Sequence, residues 1–188
     1  MKKGLLIVYS GVSGVGKDTI RERLMPLKEL NLVYSISMTT REKRPGEEDG
    51  KDYFFVSKEE FKQAILDGKL LEHARFVEND YGTPRDYVEK MRNEGKNVIV
   101  EIEIRGAKQV LEKCPDALSI YIVPPSIEEL ERRIRHRNTE DDDTIVKRIA
   151  KARREMKETD LYEHIVCNDD LDRATEEVRQ IILNEINK

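Results

Sequence analysis

The sequence lacks the features of a membrane protein or of a disulfide-stabilised secreted protein. Its apolar runs, of which LLIVY at residues 5–9 is typical, are far shorter than the roughly 20 residues that span a bilayer. It has only two cysteines, Cys114 and Cys167, with neither metal-ligand spacing nor a disulfide framework around them. No small-residue cleavage site follows the first apolar run, so we expect a reducing, cytoplasmic environment.

The sequence also lacks a strong excess of one charge and a cluster of histidines. Its 34 lysines and arginines face 38 aspartates and glutamates, which gives a formal net charge of −4. This balance favours neither a nucleic-acid nor a membrane partner, so any anionic ligand must be met by local groups. The three histidines, His73, His136 and His164, do not have the spacing of a metal site.

Short apolar runs alternate with helical patterns along the 188 residues. The runs are LLIVY, VYSISM from Val33, VIVEIEI from Val98, LSIYIVPP from Leu118 and IVCN from Ile165. This alternation predicts an α/β fold with a mostly parallel sheet flanked by helices, and the length predicts one domain. Residues 53–77 break the alternation and indicate a small strand-rich insertion, and residues 135–143 indicate a mobile turn between two helices.

Helix boundaries are marked by capping residues. Ser57-x-x-Glu60 and Ser126-x-x-Glu129 are capping-box patterns, and Thr83-Pro84 predicts a cap followed by proline at the first helical position. Gly68 and Gly95 are predicted helix stops.

A glycine-rich stretch, GVSGVGKDT at residues 11–19, directly follows the first apolar run. It matches the phosphate-loop pattern at Gly11, Gly16 and Lys17. Backbone N–H groups of such a loop and the positive end of the next helix bind phosphate, and the lysine adds a charge for the β- and γ-phosphates. The alternative is an ordinary turn, but strand, loop and helix occur in the order that phosphate binding requires.

Asp18 stands where the phosphate-loop pattern has a hydroxyl residue. One interpretation is a negative charge in the first helical turn, where the helix dipole favours it. The other is a direct or water-mediated contact to magnesium. Thr19 can supply a hydroxyl to a phosphate instead.

Two glutamates, Glu101 and Glu103, end the run VIVEIEI. The two-residue period of a strand places both on one face near its carboxyl end, where ligands bind in open α/β sheets. Glu101 is the candidate partner of a hydrated magnesium ion. The alternative is an edge strand with one solvated face. The segment from Glu131 to Glu155 is rich in arginine, and most of these side chains are expected to solvate a helix face.

Four segments together resemble the guanylate kinases: SISMTTREKRPGEEDGKDYFFV, LLEHARFVENDYGTP, VIVEIEIRG, and RHRNTE with IVCNDDLD. They occur in unbroken order from near Leu5 to the end of the chain. The resemblance implies transfer of the γ-phosphoryl group of ATP to GMP, with Mg²⁺ as cofactor. It also implies a core at about 1–34, 84–134 and 149–188, a GMP-binding insertion at about 35–83 and a helical lid at about 135–148 of a single domain, 1–188.

The resemblance also implies a role for individual residues. The GMP-binding set has Arg41, Arg44, Tyr53 and Tyr81 on the phosphate and Ser37, Glu72, Thr83 and Glu103 on guanine. The ATP-binding set is Gly11, Val12, Ser13, Gly14, Val15, Gly16, Lys17, Asp18, Thr19 and Asn168. The catalytic set is Lys17, Arg133, Arg137 and Arg148.

The sequence departs from the family pattern at three places. Glu101 and Glu103 replace an Asp-x-Asp, Arg105 stands where glutamine is common, and Asp18 replaces Ser or Gly. The magnesium arrangement therefore stays open.

Two other functions are alternatives. A phosphate-loop kinase of other base specificity, such as a thymidylate kinase, would lack Arg41-x-x-Arg44 followed by Tyr53 and the Glu72 set. A non-catalytic guanylate-kinase-like binding module would have lost Gly16-Lys17 and the lid arginines.

Overall fold

The computed structural model describes residues 2–137 and 140–188. Its strands are β1 Leu6–Gly11, β2 Leu32–Tyr34, β3 Met38–Thr39, β4 Phe54–Phe55, β5 Leu70–Phe76, β6 Asn79–Pro84, β7 Asn97–Glu101, β8 Leu118–Val123 and β9 His164–Cys167. Its α-helices are α1 Lys17–Leu24, α2 Lys58–Leu66, α3 Arg85–Asn93, α4 Ile104–Lys113, α5 Ile127–His136, α6 Asp142–Glu155 and α7 Leu171–Ile186. Met1, Asn138 and Thr139 lie outside the described residues, although the predicted core and lid include them. In the described part of the chain, every helix is too short or too polar to cross a membrane.

The strands form two sheets. The larger sheet has five strands in the order β2-β7-β1-β8-β9, and β8 pairs with β9 in parallel. The smaller sheet has the order β4-β3-β6-β5, with β6 antiparallel to both of its neighbours. The predicted α/β class with a mostly parallel sheet and a small strand-containing insertion is confirmed.

Close contacts divide the chain into two compact units. Unit 1 comprises Met1–Val8 and Val33–Ala117, and unit 2 comprises Tyr9–Leu32 and Leu118–Lys188. The boundaries predicted from the sequence for core, insertion and lid stay predictions. Unit 1 contains the smaller sheet, which has its own apolar cluster of Phe61, Ala64 and Leu70 with Met38 and Val56 packed against it.

Capping residues and glycines mark several helix ends. Ser57 and Glu60 form the predicted reciprocal capping box at α2, and the Ser126 hydroxyl accepts a hydrogen bond from the Glu129 N–H at α5. Gly68 and Gly95 follow α2 and α3 with φ of 64° and 78°, a left-handed conformation that glycine adopts without strain.

Two expectations from the sequence are wrong. Thr83 does not cap α3: it lies in β6, the N-cap is Pro84, and the Thr83 hydroxyl donates to Glu72 instead. Glu103 does not share a strand face with Glu101: β7 ends at Glu101, and Glu103 is the N-cap of α4. The Glu103 carbonyl accepts from the Ala107 N–H at 2.9 Å, so the backbone is committed to the helix directly after the strand.

Candidate functional site

The phosphate loop lies in unit 2 between β1 and α1. Gly14 and Gly16 have φ of 87° and 91°, so both need the left-handed conformation. A Cβ on Gly11 would come within 3.0 Å of the Ile122 carbonyl oxygen, so this position has no room for a larger residue. The helix begins at Lys17, directly after the glycine-rich loop, in the predicted order of strand, loop and helix.

Asn168 holds the phosphate loop from the end of β9. Its buried side-chain amide donates to the Val15 carbonyl at 2.8 Å. A Cβ on Gly16 would lie 2.8 Å from the same Asn168 nitrogen, so the glycine is required for this contact. Arg133 Nη1 in turn donates to the Asn168 carbonyl at 2.9 Å. The loop is therefore braced by side chains that the sequence predicted as ligand-binding.

A cleft of about 480 Å³ opens beside the phosphate loop within unit 2. It is lined by Gly14, Val15, Gly16, Thr19, Arg132, Arg133, His136, Arg137, Asn168, Asp169, Asp170 and Leu171. The structure thus brings together loop residues, two of the predicted arginines and the predicted Asn168.

The three predicted arginines have different partners. Arg133 Nε donates to Glu129 Oε1 at 2.8 Å, and Arg132 and Arg133 together lower the pKa of Glu129 to about 2. Arg148 Nη2 donates to the Ser13 hydroxyl at 2.9 Å, and its Nη1 donates to Glu140 at 2.6 Å. Arg137 is exposed at the end of α5 and lines the cleft. Arg148 thus reaches the phosphate loop from α6.

Lys17 and Asp18 are neighbours at the start of α1. Lys17 Nζ lies 3.4 Å from Asp18 Oδ1, and Arg21 Nη1 lies 3.9 Å from the same oxygen. The Asp18 side chain is 63% exposed. A carboxylate at this position meets both the helix N-terminus and two cations, which fits the helix-dipole interpretation.

The residues predicted for the GMP phosphate lie in unit 1, and three of them form a cluster. The Arg41 guanidinium stacks over the Tyr53 ring, with 5.3 Å from its central carbon to the ring centroid. The rings of Tyr53 and Tyr81 are 6.2 Å apart and meet edge to face. A guanidinium and two phenols at one place offer the donors that an anionic phosphate needs.

Glu47 holds Arg41 in this cluster. Arg41 Nη1 and Nη2 donate to the two carboxylate oxygens of Glu47 at 3.0 Å and 2.7 Å, a bidentate pair. The Arg44 backbone N–H also donates to Glu47, at 2.8 Å. The Arg41 hydrogen bonds and the Arg44 N–H lower the pKa of Glu47 to about 2. The Glu47 carboxylate thus holds Arg41 through its guanidinium and Arg44 through its backbone N–H.

Glu72 is the buried carboxylate of unit 1, with 6% of its surface exposed. The Thr83 hydroxyl donates to Glu72 Oε1 at 2.6 Å across the paired strands β5 and β6. Burial raises the pKa of Glu72, while Thr83 and Lys113 oppose that effect. A buried carboxylate of this kind is costly unless donors satisfy it.

The other four predicted residues of unit 1 belong to different segments of the chain. Ser37 is half-buried just before β3, the Arg44 side chain is exposed, and Glu101 is half-buried at the end of β7. Glu103 is exposed at the start of α4.

Sequence reasoning missed three supporting residues: Glu47, Gln109 and Lys113. Glu47 lies in the quoted segment PGEEDG, but nothing in its spacing distinguishes it from Glu48. Gln109 lies three residues after Gly106, and Lys113 lies four residues after Gln109, which is a weak indication of a common helix face.

Comparison with known proteins gives the family. The guanylate kinase family model matches residues 3–185. The chain belongs to the guanylate kinase family. It is 49% identical to a guanylate kinase of Oceanobacillus iheyensis over 98% of this chain and 89% of that protein. It is 48% identical to a guanylate kinase of Latilactobacillus sakei over 97% of this chain and 90% of that protein.

A solved guanylate kinase has a similar structure. The crystal structure of guanylate kinase from Anaplasma phagocytophilum matches with a TM-score of 0.74 and 32% identity, over 100% of this chain and 88% of that one. The comparisons do not favour a phosphate-loop kinase of other base specificity. The guanylate-kinase resemblance that the sequence motifs indicated is confirmed.

Proposed function

We propose that this guanylate kinase holds GMP with the Arg41 cluster and Glu72, and ATP with the phosphate loop. The chain transfers the γ-phosphoryl group of ATP to GMP. The bond from the γ-phosphorus to the β–γ bridging oxygen breaks, a bond to a GMP phosphate oxygen forms, and the products are ADP and GDP. The observation that carries the assignment of the base is the buried Glu72 paired with Thr83.

The chemistry of Glu72 matches guanine. Guanine presents two adjacent donors, N1–H and the exocyclic amine, and a carboxylate can accept from both. Adenine presents an acceptor at N1, which would leave the buried carboxylate unpaired. We extend the assignment to dGMP, because the residues proposed for base and phosphate do not require a ribose 2′-hydroxyl.

Phosphoryl transfer asks mainly for positioning and charge stabilisation. In our proposal, Lys17 and the loop N–H groups hold the ATP phosphates, and Arg133, Arg137 and Arg148 stabilise charge on the transferring group. The contact from Arg148 to Ser13 supports this role, because it places a guanidinium against the phosphate loop. Asn168 keeps the loop in shape through Val15.

Magnesium is part of the proposal. Glu101 and Asp18 each offer a carboxylate, the oxygen donor that Mg²⁺ prefers, and Mg²⁺ commonly takes one or two carboxylates together with substrate phosphates. The donor chemistry therefore fits an ion carried on ATP. Within the described ranges, no group of three or more His, Cys, Asp or Glu forms a protein cage for a metal. When bound, the ion supplies charge neutralisation at the β- and γ-phosphates.

A substrate panel tests the proposed function. ADP release would be measured with ATP and each of GMP, dGMP, AMP, UMP and dTMP, with and without Mg²⁺. We expect turnover with GMP and dGMP only, and only with Mg²⁺. Turnover with dTMP or AMP in preference to GMP would contradict the assignment of Glu72 to guanine. We also propose a cytoplasmic location, which fractionation of the source cells would test.

Asp18→Ser tests the role of Asp18, which stands where the phosphate-loop pattern has a hydroxyl residue. If Asp18 serves only the helix N-terminus, the serine variant should keep its kcat or gain up to a few-fold, because a carboxylate near the ATP phosphates is removed. The measurement is the initial rate as a function of Mg²⁺ concentration. A large rise in the Mg²⁺ concentration for half-maximal rate would establish a metal role for Asp18 instead. Glu22→Ser, on the same helix, is the matched control.

Glu47→Gln tests the bidentate pair with Arg41. The amide keeps the size of the side chain but loses one acceptor and the charge, so Arg41 is held less well. We expect the KM for GMP to rise about tenfold, with kcat and the KM for ATP little changed. Glu48→Gln, at an exposed neighbouring position, is the control. A lower KM for GMP would mean that Glu47 competes with the phosphate for Arg41.

A further inference from the structure

One face of α4 is directed at the short piece of β5 that carries Glu72. Gly106, Gln109 and Lys113 are spaced by three and four residues, so they lie along one side of the helix. Each of the three contacts Glu72 or the backbone next to it. Both elements belong to unit 1.

Lys113 holds the backbone before Glu72. Its ammonium donates to the Leu71 carbonyl at 2.8 Å and to the Leu70 carbonyl at 3.1 Å. The pairing of β5 with β6 shifts register between Leu70 and Glu72, so this is an irregular part of the strand. Carbonyls at such an irregularity need a donor from elsewhere, and Lys113 supplies it.

Gln109 holds the backbone after Glu72. Its side-chain oxygen accepts from the His73 N–H at 3.1 Å, and its side-chain nitrogen donates to the His73 carbonyl at 3.1 Å. The amide therefore pairs with His73 as a neighbouring strand would. Lys113 and Gln109 thus fix the backbone on both sides of Glu72.

Gly106 makes room for the carboxylate itself. A Cβ at this position would lie 2.8 Å from Glu72 Oε2 and 3.3 Å from the carboxyl carbon. The absence of a side chain lets Glu72 lie against the helix while Thr83 donates to its other oxygen.

We propose that this face of α4 sets the position and charge state of Glu72, with Lys113 and Gln109 as positioning residues for base recognition. The inference rests on the proposed function of Glu72 in binding guanine. It assigns to α4 a part in specificity that goes beyond packing.

Among the charged groups described near Glu72, Lys113 is the one whose charge acts on the Glu72 carboxylate. The Lys113 ammonium lowers the pKa of Glu72 against the effect of burial. Arg105 and Lys108, on the same helix, are exposed to solvent. The strand β6 contributes the Thr83 hydroxyl, and α2 packs on this part of the strand with apolar Phe61 and Ala64.

Lys113→Met and Gln109→Leu separate charge from hydrogen bonding. The first removes a positive charge and two hydrogen bonds, whereas the second removes hydrogen bonds only, the two with His73 and a longer one of 3.4 Å to the Arg105 carbonyl. Lys113→Arg restores a charged donor, and Lys108→Met is the matched control at an exposed position of α4. The measurement is kcat/KM for GMP from pH 5 to 9, together with the KM for ATP and the Tm of each variant.

The expected results differ between the variants. Removing the Lys113 charge raises the pKa of Glu72, so the acid limb of kcat/KM should move to higher pH, and kcat/KM should fall several-fold more at pH 5 than at pH 9. Gln109→Leu should lower kcat/KM with the acid limb unmoved. Lys113→Arg and Lys108→Met should resemble the wild type. The second ionisation of GMP, with a pKa of about 6, affects every variant equally and cancels in the comparison.

An unmoved acid limb in Lys113→Met would overturn the proposal, because a residue that only supports the fold changes Tm without changing the pH profile. If Lys113→Met does not fold, Lys113→Gln takes its place, since it keeps a donor without the charge. If Lys113→Met and Lys113→Gln both fail to fold while Lys113→Arg folds, the proposal is also overturned, because Lys113 would then serve the stability of the fold. Failure of the proposed role of Glu72 in guanine binding is distinguished by Glu72→Gln, which would then leave the ratio of kcat/KM for GMP and AMP unchanged.

Discussion

Lys17→Ala is expected to fold normally and to lose nearly all phosphoryl transfer. The side chain is 22% exposed, and its contact with Asp18 is a surface ion pair worth about 0–1 kcal/mol. The loop backbone is held by other groups, including Asn168 through Val15. Removing a charge that stabilises the transferring group should therefore reduce kcat on the order of 10²–10³-fold or more, without a change in Tm.

Single-turnover phosphoryl transfer and circular dichroism together test this separation of folding from catalysis. Lys28→Ala is the matched control, because Lys28 is an exposed lysine of unit 2 outside the loop. A Lys17→Ala rate near that of the wild type would contradict the phosphate-loop assignment. A large fall in Tm would mean that the lysine supports the loop rather than the reaction.

Glu72→Gln is expected to weaken GMP phosphorylation strongly and to reduce discrimination against AMP. The glutamine keeps the size of the side chain but offers one acceptor and one donor, so guanine loses a charge-assisted hydrogen bond worth about 1.5–3 kcal/mol. This corresponds to a fall in kcat/KM for GMP of about 10- to 160-fold. AMP should gain relative to GMP, because the new donor can meet the acceptor at adenine N1.

The ratio of kcat/KM for GMP and AMP is the quantity to measure in both proteins. Glu59→Gln, an exposed position on α2, is the control. An unchanged ratio would remove Glu72 from base recognition and leave Ser37, Thr83 and Glu103 as the remaining predicted contacts. Since burial raises the pKa of Glu72, the wild-type rate with GMP should also decline on the acid side at a higher pH than for an exposed glutamate.

Most of the fold could be predicted from local patterns. The run LLIVY followed by GVSGVGKDT specifies a strand, a loop and a helix because apolar period, glycines and helix start all agree. The strand β1 and helix α1 lie where expected. Ser57 and Gly68 mark both ends of α2 for the same reason, since capping is a property of neighbouring residues.

The wrong expectations arose where one residue type suits two local structures. Glu103 continues an alternating pattern, but its extended backbone also fits the N-cap position, which it fills without a side-chain cap hydrogen bond, and the helix period of the following residues decided the outcome. Thr83 before proline suits a cap, but its strand pairing with Glu72 gives its hydroxyl a buried acceptor. A buried carboxylate without a donor costs more than a missing cap, so the tertiary contact prevailed.

The supporting residues of the site could not be predicted because their contacts are distant in sequence. Lys113 reaches carbonyls 42 and 43 residues earlier, and Gln109 reaches a backbone group 36 residues earlier. Residues of any type have backbone N–H or carbonyl groups, so a side-chain contact to the backbone requires no particular residue there. Such contacts therefore leave no pattern in the sequence. Glu47 is closer to Arg41, but only the loop conformation distinguishes it from the other acids beside it.

The smaller sheet depends on a small apolar cluster in which the structure describes three buried side chains, Phe61, Ala64 and Leu70. Local opening of such a segment costs little free energy compared with global unfolding. If GMP binds this sheet as proposed, it selects the folded form of the sheet, so its apparent affinity includes the free-energy cost of forming that sheet. Natural variation at Phe61 or Leu70 would therefore alter substrate affinity before it altered heat resistance. Thermal melting alone would overlook such variants.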